Sequence, residues 1–421
     1  MGAIHLRRFA LHDGVHAVLM TRARPYLAGV TGTNGKTSTT RWLAAALAAP
    51  NRSDVPVACL DSLAWRLGDR DLGSRRDEAA LASALDALER ERGAAAVIEL
   101  TSHALGTGFA RSLDFRLAVF TNLTQEHLEL HHTYERYLAC KAQLFVRLGA
   151  GATAVLNARD DASRLIRGVL PNGTMIRTYG TRSRGPAWCT PDVEAVDVVV
   201  DRDGTSARLV WANPDPDAPQ AIRLRALGEV FVENALAALL GARAAGVPLS
   251  VASAAIADCE APPGRFTRVA SSPDVYVDVA HSPDALARTL GAARSLANVS
   301  GGRVLLVFGS GGQRDVEKRR AMGRAAGGAD VAIITSDEAR GGHPLDVAQA
   351  IASGMSRPER ARIEHDRVRA VERALSAAHP KDVVVIAGRG PLGAPAMGTT
   401  QLASDALIVK TLLGRSPDAV R

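Results

Sequence analysis

The sequence predicts an α/β protein with a central, mostly parallel sheet and a smaller C-terminal α/β domain of Rossmann type. Apolar runs alternate with helical patterns through most of the 421 residues, which is typical of parallel strands covered by helices on both faces. The segment Ala261-Pro262-Pro263-Gly264 interrupts this alternation and is the best linker candidate. We therefore predict a short N-terminal segment (1–25), a central domain (26–260) and a C-terminal domain (265–421).

The predicted elements follow one another in order. In the central domain we expect strands at 26–28, 55–61, 94–100, 117–123 and 152–157, and helices at 40–48, 77–92, 134–148, 230–245 and 249–258. Two runs, 196–200 and 207–211, flank a turn that ends at Gly204 and predict a β-hairpin. Beyond the linker, strands are expected at 275–279, 304–308, 331–335 and 383–387.

The composition limits the possible partners. Hydrophobic residues make up 47% of the chain and aromatic residues only 4%, so its cores must be mainly aliphatic. The formal net charge is +7, but no basic cluster is flanked by aromatic residues, so nucleic-acid binding is not expected. A basic pocket for anionic substrates and an ordinary solvated surface both remain open.

Cysteine usage indicates the compartment. Cys59, Cys140, Cys189 and Cys259 lie far apart and form no Cys-x-x-Cys pair, which favours reduced thiols and a cytoplasmic protein. The N-terminus shows no secretory pattern, and no uncharged apolar run reaches the length of about 18 residues that a membrane span needs. We expect no membrane span.

The glycine- and threonine-rich stretch at 29–39 predicts a phosphate loop, because it follows an apolar run and opens a helical segment. Its backbone amides and the helix N-terminus would bind phosphates, Lys36 would reach the outer phosphates, and the Thr37 hydroxyl would ligate Mg²⁺. Val30 stands where the strict motif has glycine, so the loop is a variant, and an ordinary turn is the alternative. We predict an ATP site formed by Gly32, Thr33, Asn34, Gly35, Lys36, Thr37 and Ser38.

Three further side chains could belong to this site. Glu99 ends one predicted strand and His127 follows the next, and the carboxyl ends of parallel strands meet at one edge of a sheet. Glu99 could hold Mg²⁺ and His127 a second cation, although a loop carboxylate and a structural histidine are the alternatives. Apolar neighbours in the predicted helix 134–148 would bury the stem of Lys141 and lower its pKa, and from the residues alone we expect this lysine on a half-buried face, with its ammonium group reaching water.

Taken together, several motifs resemble the Mur ligases, the ATP-dependent amide ligases of peptidoglycan precursor synthesis. The similarity is greatest to the branch that adds the third residue of the peptide, UDP-N-acetylmuramoyl-tripeptide synthetase, and it spans about residues 26–410. The phosphate loop carries it together with segments 99–105, 118–123, 126–131, 141–145, 264–266, 277–284 and 307–319.

The resemblance implies roles for the residues that match these motifs. Thr37, Glu99 and His127 correspond to metal ligands, and Lys141 corresponds to a lysine that reacts with CO₂ to form a carbamate. The implied catalytic set is Lys36, Glu99, His127, Lys141 and Arg265, and the implied cofactors are ATP, one or two Mg²⁺ ions and the carbamate.

On the nucleotide side, Asn234 corresponds to a nucleotide-contacting asparagine, Arg265 to a γ-phosphate arginine and Asp278 to a ribose-binding aspartate. His281 lies in the same motif as Asp278. Since the last three follow the linker, the resemblance implies that domain closure completes the site.

The acceptor motifs depart from the family pattern. Arg314, Asp337, Arg340 and Gly388 correspond to acceptor-binding positions, and two arginines could hold a carboxylate. Leu392 stands where the family has an acid that meets a distal ammonium group. We therefore expect an amino-acid or peptide amine as acceptor, but not diaminopimelate.

The implied reaction forms an acyl phosphate from ATP and a carboxylate, and an amine then attacks it. Only residues 1–28 precede the loop, where the family has a domain that binds the UDP part of the donor. We therefore expect a small or peptide carboxylate, or a donor presented by a partner protein. The alternatives are a UDP-N-acetylmuramoyl-peptide ligase working without that domain and an ATP-binding subunit of a larger complex.

Overall fold

The computed structural model describes residues 25–51, 55–73, 75–124, 126, 128–213, 215–310, 316–336, 344–390 and 404–414. These residues divide into two compact units. The first takes most of the chain up to Glu260, and the second begins at Ala261 and also includes the short segments 200–204 and 226–229.

The first unit is built on an eleven-stranded sheet. Its strands are β1 (Tyr26–Thr31), β2 (Val57–Leu60), β3 (Trp65–Leu67), β4 (Arg70–Asp71), β5 (Ala95–Glu99), β6 (Leu117–Phe120), β7 (Thr153–Asn157), β8 (Met175–Thr181), β9 (Val193–Asp201), β10 (Gly204–Trp211) and β11 (Ala221–Leu224). Their order is β11-β10-β9-β8-β7-β6-β1-β5-β2-β3-β4. The continuous series from β2 to β9 is parallel, and β3, β4 and β11 run antiparallel to their neighbours.

The helices of the first unit include four that begin at a capping side chain. The helices are α1 (Lys36–Ala48), α2 (Glu78–Arg90), α3 (Ser102–Thr107), α4 (Leu128–His131), α5 (Tyr134–Ala142), α6 (Asp161–Arg167), α7 (Glu229–Ala244) and α8 (Leu249–Asp258). Asp77, Thr101, Thr133 and Asp160 accept hydrogen bonds from backbone N–H groups in the first turns of α2, α3, α5 and α6.

Two local predictions have different outcomes. The hairpin is confirmed, since β9 and β10 are neighbours joined at residues 202–203. The helix predicted at 134–148 is too long, because α5 ends at Ala142. Beyond Ala142, hydrogen bonds join residues three positions apart, as in a 3₁₀-helix: Leu144 N donates to the Lys141 carbonyl and Phe145 N to the Ala142 carbonyl. This tighter turn directs Leu144 and Phe145 into the core.

The second unit contains a six-stranded sheet in the order β12-β13-β17-β14-β15-β16. Its strands are β12 (Thr267–Ser271), β13 (Asp274–Asp278), β14 (Val304–Phe308), β15 (Val331–Ile334), β16 (Ala361–Ile363) and β17 (Val383–Ala387), and its helices are α9 (Pro283–Ser300), α10 (Val316–Ala326), α11 (Pro344–Ala352), α12 (Arg367–Ala377) and α13 (Asp405–Leu413). All neighbouring strands are parallel except β12 and β13. The α/β fold class with mostly parallel sheets is confirmed.

The cores are aliphatic, as the composition predicts. The central strands of both sheets are near-continuous buried apolar runs, such as Val304–Phe308 in β14, because helices cover both of their faces. Among the described residues, no helix is long and apolar enough to cross a membrane. The cytoplasmic location stays a prediction.

Candidate functional site

The predicted phosphate loop connects β1 to α1, and two of its glycines have positive φ angles. Gly32 has φ +147° and Gly35 has φ +84°, which are conformations that side chains disfavour. A Cβ atom on Gly32 would lie 1.9 Å from Thr121 Oγ1, and one on Gly35 would lie 2.2 Å from Asn234 Oδ1. Glycine is therefore required at both positions, and Asn234 packs directly against the loop.

The carboxyl end of β6 supports the loop from one side. Asn122 accepts hydrogen bonds from Thr33 N at its carbonyl (2.8 Å) and from Asn34 N at Oδ1 (3.0 Å). Thr121 Oγ1 donates to the Asn34 carbonyl at 2.6 Å. Sequence reasoning did not assign roles to Thr121 and Asn122, although their position at the end of a predicted strand was the available signal.

The side chains at the start of α1 lie where the phosphate prediction needs them. Lys36 Nζ donates to the Thr33 carbonyl at 2.7 Å, which holds its charge over the loop. Thr37 and Ser38 are buried in the first turn of α1. The N-terminus of a helix carries partial positive charge, so the loop, Lys36 and α1 together form a site for anionic phosphate.

A carboxylate from β5 meets this helix end. Glu99 Oε2 accepts hydrogen bonds from Thr37 Oγ1 and from Ser62 N, both at 3.0 Å. A hydroxyl and a carboxylate oxygen beside a phosphate site form a donor set that suits Mg²⁺. Within the described residues no group of three or more His, Cys, Asp and Glu side chains could hold a metal ion, and His127 lies outside them.

Lys141 is the most unusual group of the site. Its side chain is 1% exposed, and Nζ donates to the Gly32 carbonyl at 2.6 Å. Burial lowers the pKa of Lys141 well below its usual range, and repulsion from Lys36 adds to this effect, whereas Glu126 opposes it. The expectation, made from the residues alone, that the ammonium group reaches water is therefore wrong, and the structure favours a neutral amine beside the loop.

Tyr137, one turn before Lys141 on α5, contacts both the phosphate loop and Lys141. Its hydroxyl lies 3.1 Å from Thr33 Oγ1, and its ring centroid lies 4.4 Å from Lys141 Nζ. Sequence reasoning did not identify Tyr137, and its i, i+4 spacing from Lys141 was the available signal. The lysine is thus enclosed by backbone and an aromatic face.

In the second unit, Asp278 at the end of β13 is the centre of the predicted nucleotide-side motif. It accepts hydrogen bonds from Phe266 N at 2.7 Å and from Ala280 N at 2.6 Å. Burial raises the pKa of Asp278 to about 6, although Arg265, the two N–H groups and His281 all favour the charged form. The two backbone hydrogen bonds fix the orientation of the Asp278 carboxylate.

The other predicted residues of this unit lie around Asp278. His281 Nδ1 donates to the Val279 carbonyl at 2.7 Å, and its ring is exposed. Gly388, which has φ +117°, donates its N–H to the Asp278 carbonyl at 3.0 Å. Arg265, Asp278, His281 and Gly388 therefore form one group. The predicted acceptor residues Arg314, Asp337 and Arg340 lie outside the described residues.

Comparisons with known proteins identify the family of this chain. Residues 30–242 match the Mur ligase middle domain, and residues 264–390 match the Mur ligase glutamate ligase domain. The UDP-N-acetylmuramoyl-L-alanyl-D-glutamate–2,6-diaminopimelate ligase of Synechococcus elongatus is 36% identical over 390 residues, which are 90% of this chain and 74% of that protein.

Two solved structures extend the comparison. A UDP-N-acetylmuramoyl-L-alanyl-D-glutamate–2,6-diaminopimelate ligase aligns with a TM-score of 0.63 and 28% identity, covering 96% of this chain and 81% of that one. The folylpolyglutamate synthase of Mycobacterium tuberculosis, complexed with ADP, has a TM-score of 0.70 at 19% identity, covers 98% and 95%, and shares the fold. The chain belongs to the Mur ligase family, whose members are ATP-dependent ligases that form amide bonds.

Proposed function

We propose that this chain joins a carboxylate to an amine through an acyl phosphate, with ATP bound at the loop between β1 and α1. The observation that carries the proposal is the position of Lys141, a buried amine 2.6 Å from the carbonyl of Gly32 in that loop. A loop that only bound nucleotide would not require a second lysine buried beneath it.

The first step is phosphoryl transfer. A carboxylate oxygen of the donor attacks the γ-phosphorus of ATP, the bond to the leaving oxygen breaks, and ADP and an acyl phosphate form. The loop amides, Lys36 and the N-terminus of α1 stabilise the negative charge that spreads over the phosphoryl oxygens. In the second step an amine attacks the acyl carbon, loses a proton to solvent and releases phosphate.

Thr37 and Glu99, together with the predicted ligand His127, would hold Mg²⁺. When bound, Mg²⁺ neutralises phosphate charge. The amine of Lys141 suits reaction with CO₂, because only an unprotonated amine forms a carbamate and burial favours that form. The product is a further carboxylate at the loop, and one proton is released.

The substrate classes follow from the acceptor motifs. Arg314 and Arg340 are retained, which supports an acceptor with a carboxylate, and Leu392 replaces the acid that would meet a second ammonium group. We therefore propose an amino-acid or peptide amine other than diaminopimelate as acceptor. The donor that we propose is a small or peptide carboxylate, free or presented by a partner protein.

A second candidate is the synthesis of peptidoglycan precursors on a UDP-N-acetylmuramoyl dipeptide. The observation that favours it is the 36% identity to the Synechococcus elongatus ligase over 90% of this chain. The two candidates share the reaction and differ in the donor, so a substrate comparison separates them.

The experiment measures phosphate release from Mg-ATP in bicarbonate buffer over a matrix of carboxylate donors and amino acids, with mass spectrometry of the products. UDP-N-acetylmuramoyl dipeptide is one donor and diaminopimelate one acceptor. A new amide with other substrates supports the first candidate, and a product from the UDP donor supports the second. Phosphate release that no amine alters, without any amide product, would contradict both.

The carbamate has its own test. We expect phosphate release to fall when CO₂ and bicarbonate are removed and to recover when bicarbonate is restored. A ¹³C NMR signal of a lysine carbamate, present in the wild type and absent in Lys141→Met, should accompany that recovery. Full activity without CO₂ and without this signal would show that the lysine acts as an amine.

A further inference from the structure

A cavity of about 390 Å³ opens at the edge of the first unit's sheet opposite to the phosphate loop. Thr153 and Met175, the first residues of β7 and β8, line it, whereas the loop follows the last residue of β1. Since β1, β6, β7 and β8 run parallel, their first and last residues lie at opposite edges. The cavity is therefore distinct from the nucleotide site.

Part of the charge around this cavity is already paired. Arg243 Nη2 donates to Asp215 Oδ2 at 2.6 Å, and Asp217 N donates to the other oxygen of Asp215 at 3.0 Å. Trp211 Nε1 donates to the Pro219 carbonyl at 2.8 Å, which fixes the indole. These groups form a rigid wall and need no ligand.

Two side chains of opposite charge on the cavity lining can still form further hydrogen bonds. Arg177 is exposed, and within the described residues its guanidinium donates only to the neighbouring Ile176 carbonyl. Asp192 uses Oδ2 for both Thr178 N (2.7 Å) and Thr178 Oγ1 (3.0 Å), and in the same part of the chain its Oδ1 accepts no hydrogen bond. A guanidinium binds a carboxylate in a bidentate manner, and a carboxylate oxygen binds an ammonium group.

The remaining lining adds an apolar surface. Leu240 and Leu249 contribute aliphatic side chains. The volume lies in the range of about 300–1,000 Å³ that is usual for small-molecule pockets.

From this lining we infer that the cavity is a second binding site, for a free amino acid with an apolar side chain. Arg177 binds the carboxylate, Asp192 Oδ1 binds the ammonium group, and the side chain packs against Leu240 and Leu249. Binding there involves neither ATP nor the residues proposed for the ligase reaction. The inference therefore goes beyond the proposed function and can be tested without it.

Isothermal titration calorimetry of the whole chain, without ATP or donor, tests the inference. The probes are L-leucine, L-methionine and L-valine, with two analogues of leucine: 4-methylpentanoate, which lacks the ammonium group, and 3-methylbutylamine, which lacks the carboxylate. We expect at least one amino acid to bind with a Kd below about 1 mM, and both leucine analogues to bind at least about tenfold more weakly than leucine.

The variant Arg177→Met should weaken amino-acid binding at least about tenfold. The matched control Arg362→Met removes another exposed arginine, on β16 of the second unit, and should leave binding unchanged. An unaltered melting temperature shows that Arg177→Met folds normally. Three results would each overturn the inference: no saturation by any amino acid up to about 10 mM, equal binding by Arg177→Met and wild type, or equal binding of 4-methylpentanoate and leucine.

Discussion

Two buried basic side chains, one in each unit, have opposite surroundings. Lys141 at the phosphate loop is 1% exposed, and its Nζ donates a hydrogen bond to the Gly32 carbonyl. Arg367 at the start of α12 is 4% exposed and makes a bidentate pair with Asp405, with both bonds 2.7 Å long, and a further bond to the Ala387 carbonyl. Arg367 faces a full opposite charge, whereas Lys141 is also repelled by Lys36.

The difference indicates that the buried Arg367 and the buried Lys141 have different roles. Arg367 and Asp405 connect the first turns of α12 and α13 to the end of β17, and each charge is compensated by the other. The surroundings of Lys141 disfavour its charge, because burial outweighs the attraction of Glu126 and Glu99. Such burial keeps an amine neutral and reactive, which suits chemistry rather than stability.

The largest effect that we expect is loss of activity in Lys141→Met. An electrostatic group at a phosphoryl-transfer site is worth about 10²–10³ in rate, so phosphate release should fall by that factor. The free energy of unfolding should change by less than about 1 kcal/mol, because the substitution removes an amine whose charge is unfavourable where it lies.

Steady-state kinetics and urea unfolding of the same preparation test this prediction. ATP binding measured by calorimetry serves as the control, because Lys36 and the loop amides remain. Normal activity, or a stability loss of several kcal/mol, would place Lys141 in the same structural class as Arg367.

The second prediction concerns Arg367→Met, which leaves Asp405 buried without its partner. Removing one member of a buried ion pair costs about 3–5 kcal/mol, and we expect that decrease in the free energy of unfolding. The matched control is Arg70→Met. The pair of Arg70 with Glu91 is exposed, with side chains 55% and 42% accessible, and should contribute about 0–1 kcal/mol.

The double variant Arg367→Met with Asp405→Leu sharpens the comparison. It removes both charges, so it should be more stable than Arg367→Met alone. Chemical unfolding of the three variants gives the free energies. If Arg367→Met and Arg70→Met lost the same small amount, the buried pair would not hold the two helices as we argue.

The sequence predicted these two regions unequally well, for a physical reason. Glu99 was found because it lies at the end of an apolar run, and parallel strands bring such ends to one edge, whereas Asp278 was assigned from the family resemblance. Lys141 was singled out from its apolar neighbours, but those neighbours could not show whether its ammonium group reaches water. That outcome depends on Gly32 and Tyr137, which are distant in sequence or one helical turn away.

The strands also show that a local sequence pattern predicts only part of the structure. Most buried apolar runs were predicted, whereas β3, β4, β8, β11, β12 and β16 were not. Five of these strands have two to five residues and lie at or near the sheet edges, where exposed polar residues interrupt the apolar pattern. The other, β8, lies inside its sheet, but Arg177, Thr178 and Thr181 interrupt its apolar pattern. The pair of Arg367 with Asp405 was also missed, since no local pattern links two residues 38 positions apart.

The third prediction concerns Asp278, a buried carboxylate whose negative charge is only partly offset by the neighbouring N–H groups and positive charges. Its pKa is raised from 3.8 to about 6 in the folded protein. Its contribution to stability is therefore fully present below about pH 4, and it is lost as the pH rises through about 6. The shift corresponds to about 3 kcal/mol at most.

Unfolding free energies between pH 4 and 7 should decrease less steeply in Asp278→Asn than in the wild type. Asp160, whose pKa is also raised to about 6 by burial, would give a similar slope from the first unit, so Asp160→Asn is the parallel control. Identical slopes in Asp278→Asn and the wild type would show that the backbone N–H groups and Arg265 fully offset the burial of this carboxylate.

The smallest effect that we expect comes from Tyr137→Phe, which changes one hydrogen bond beside Lys141. The variant keeps the ring 4.4 Å from Nζ and loses the hydroxyl contact to Thr33 Oγ1. A neutral hydrogen bond contributes about 1 kcal/mol, so the free energy of unfolding should fall by that amount while activity changes little. Tyr137→Leu, which also removes the ring, exposes the amine to water and should raise the pKa of Lys141. If enclosure keeps this amine neutral, Tyr137→Leu must therefore require more bicarbonate for half-maximal phosphate release than Tyr137→Phe, and equal requirements would show that the ring has no part in it.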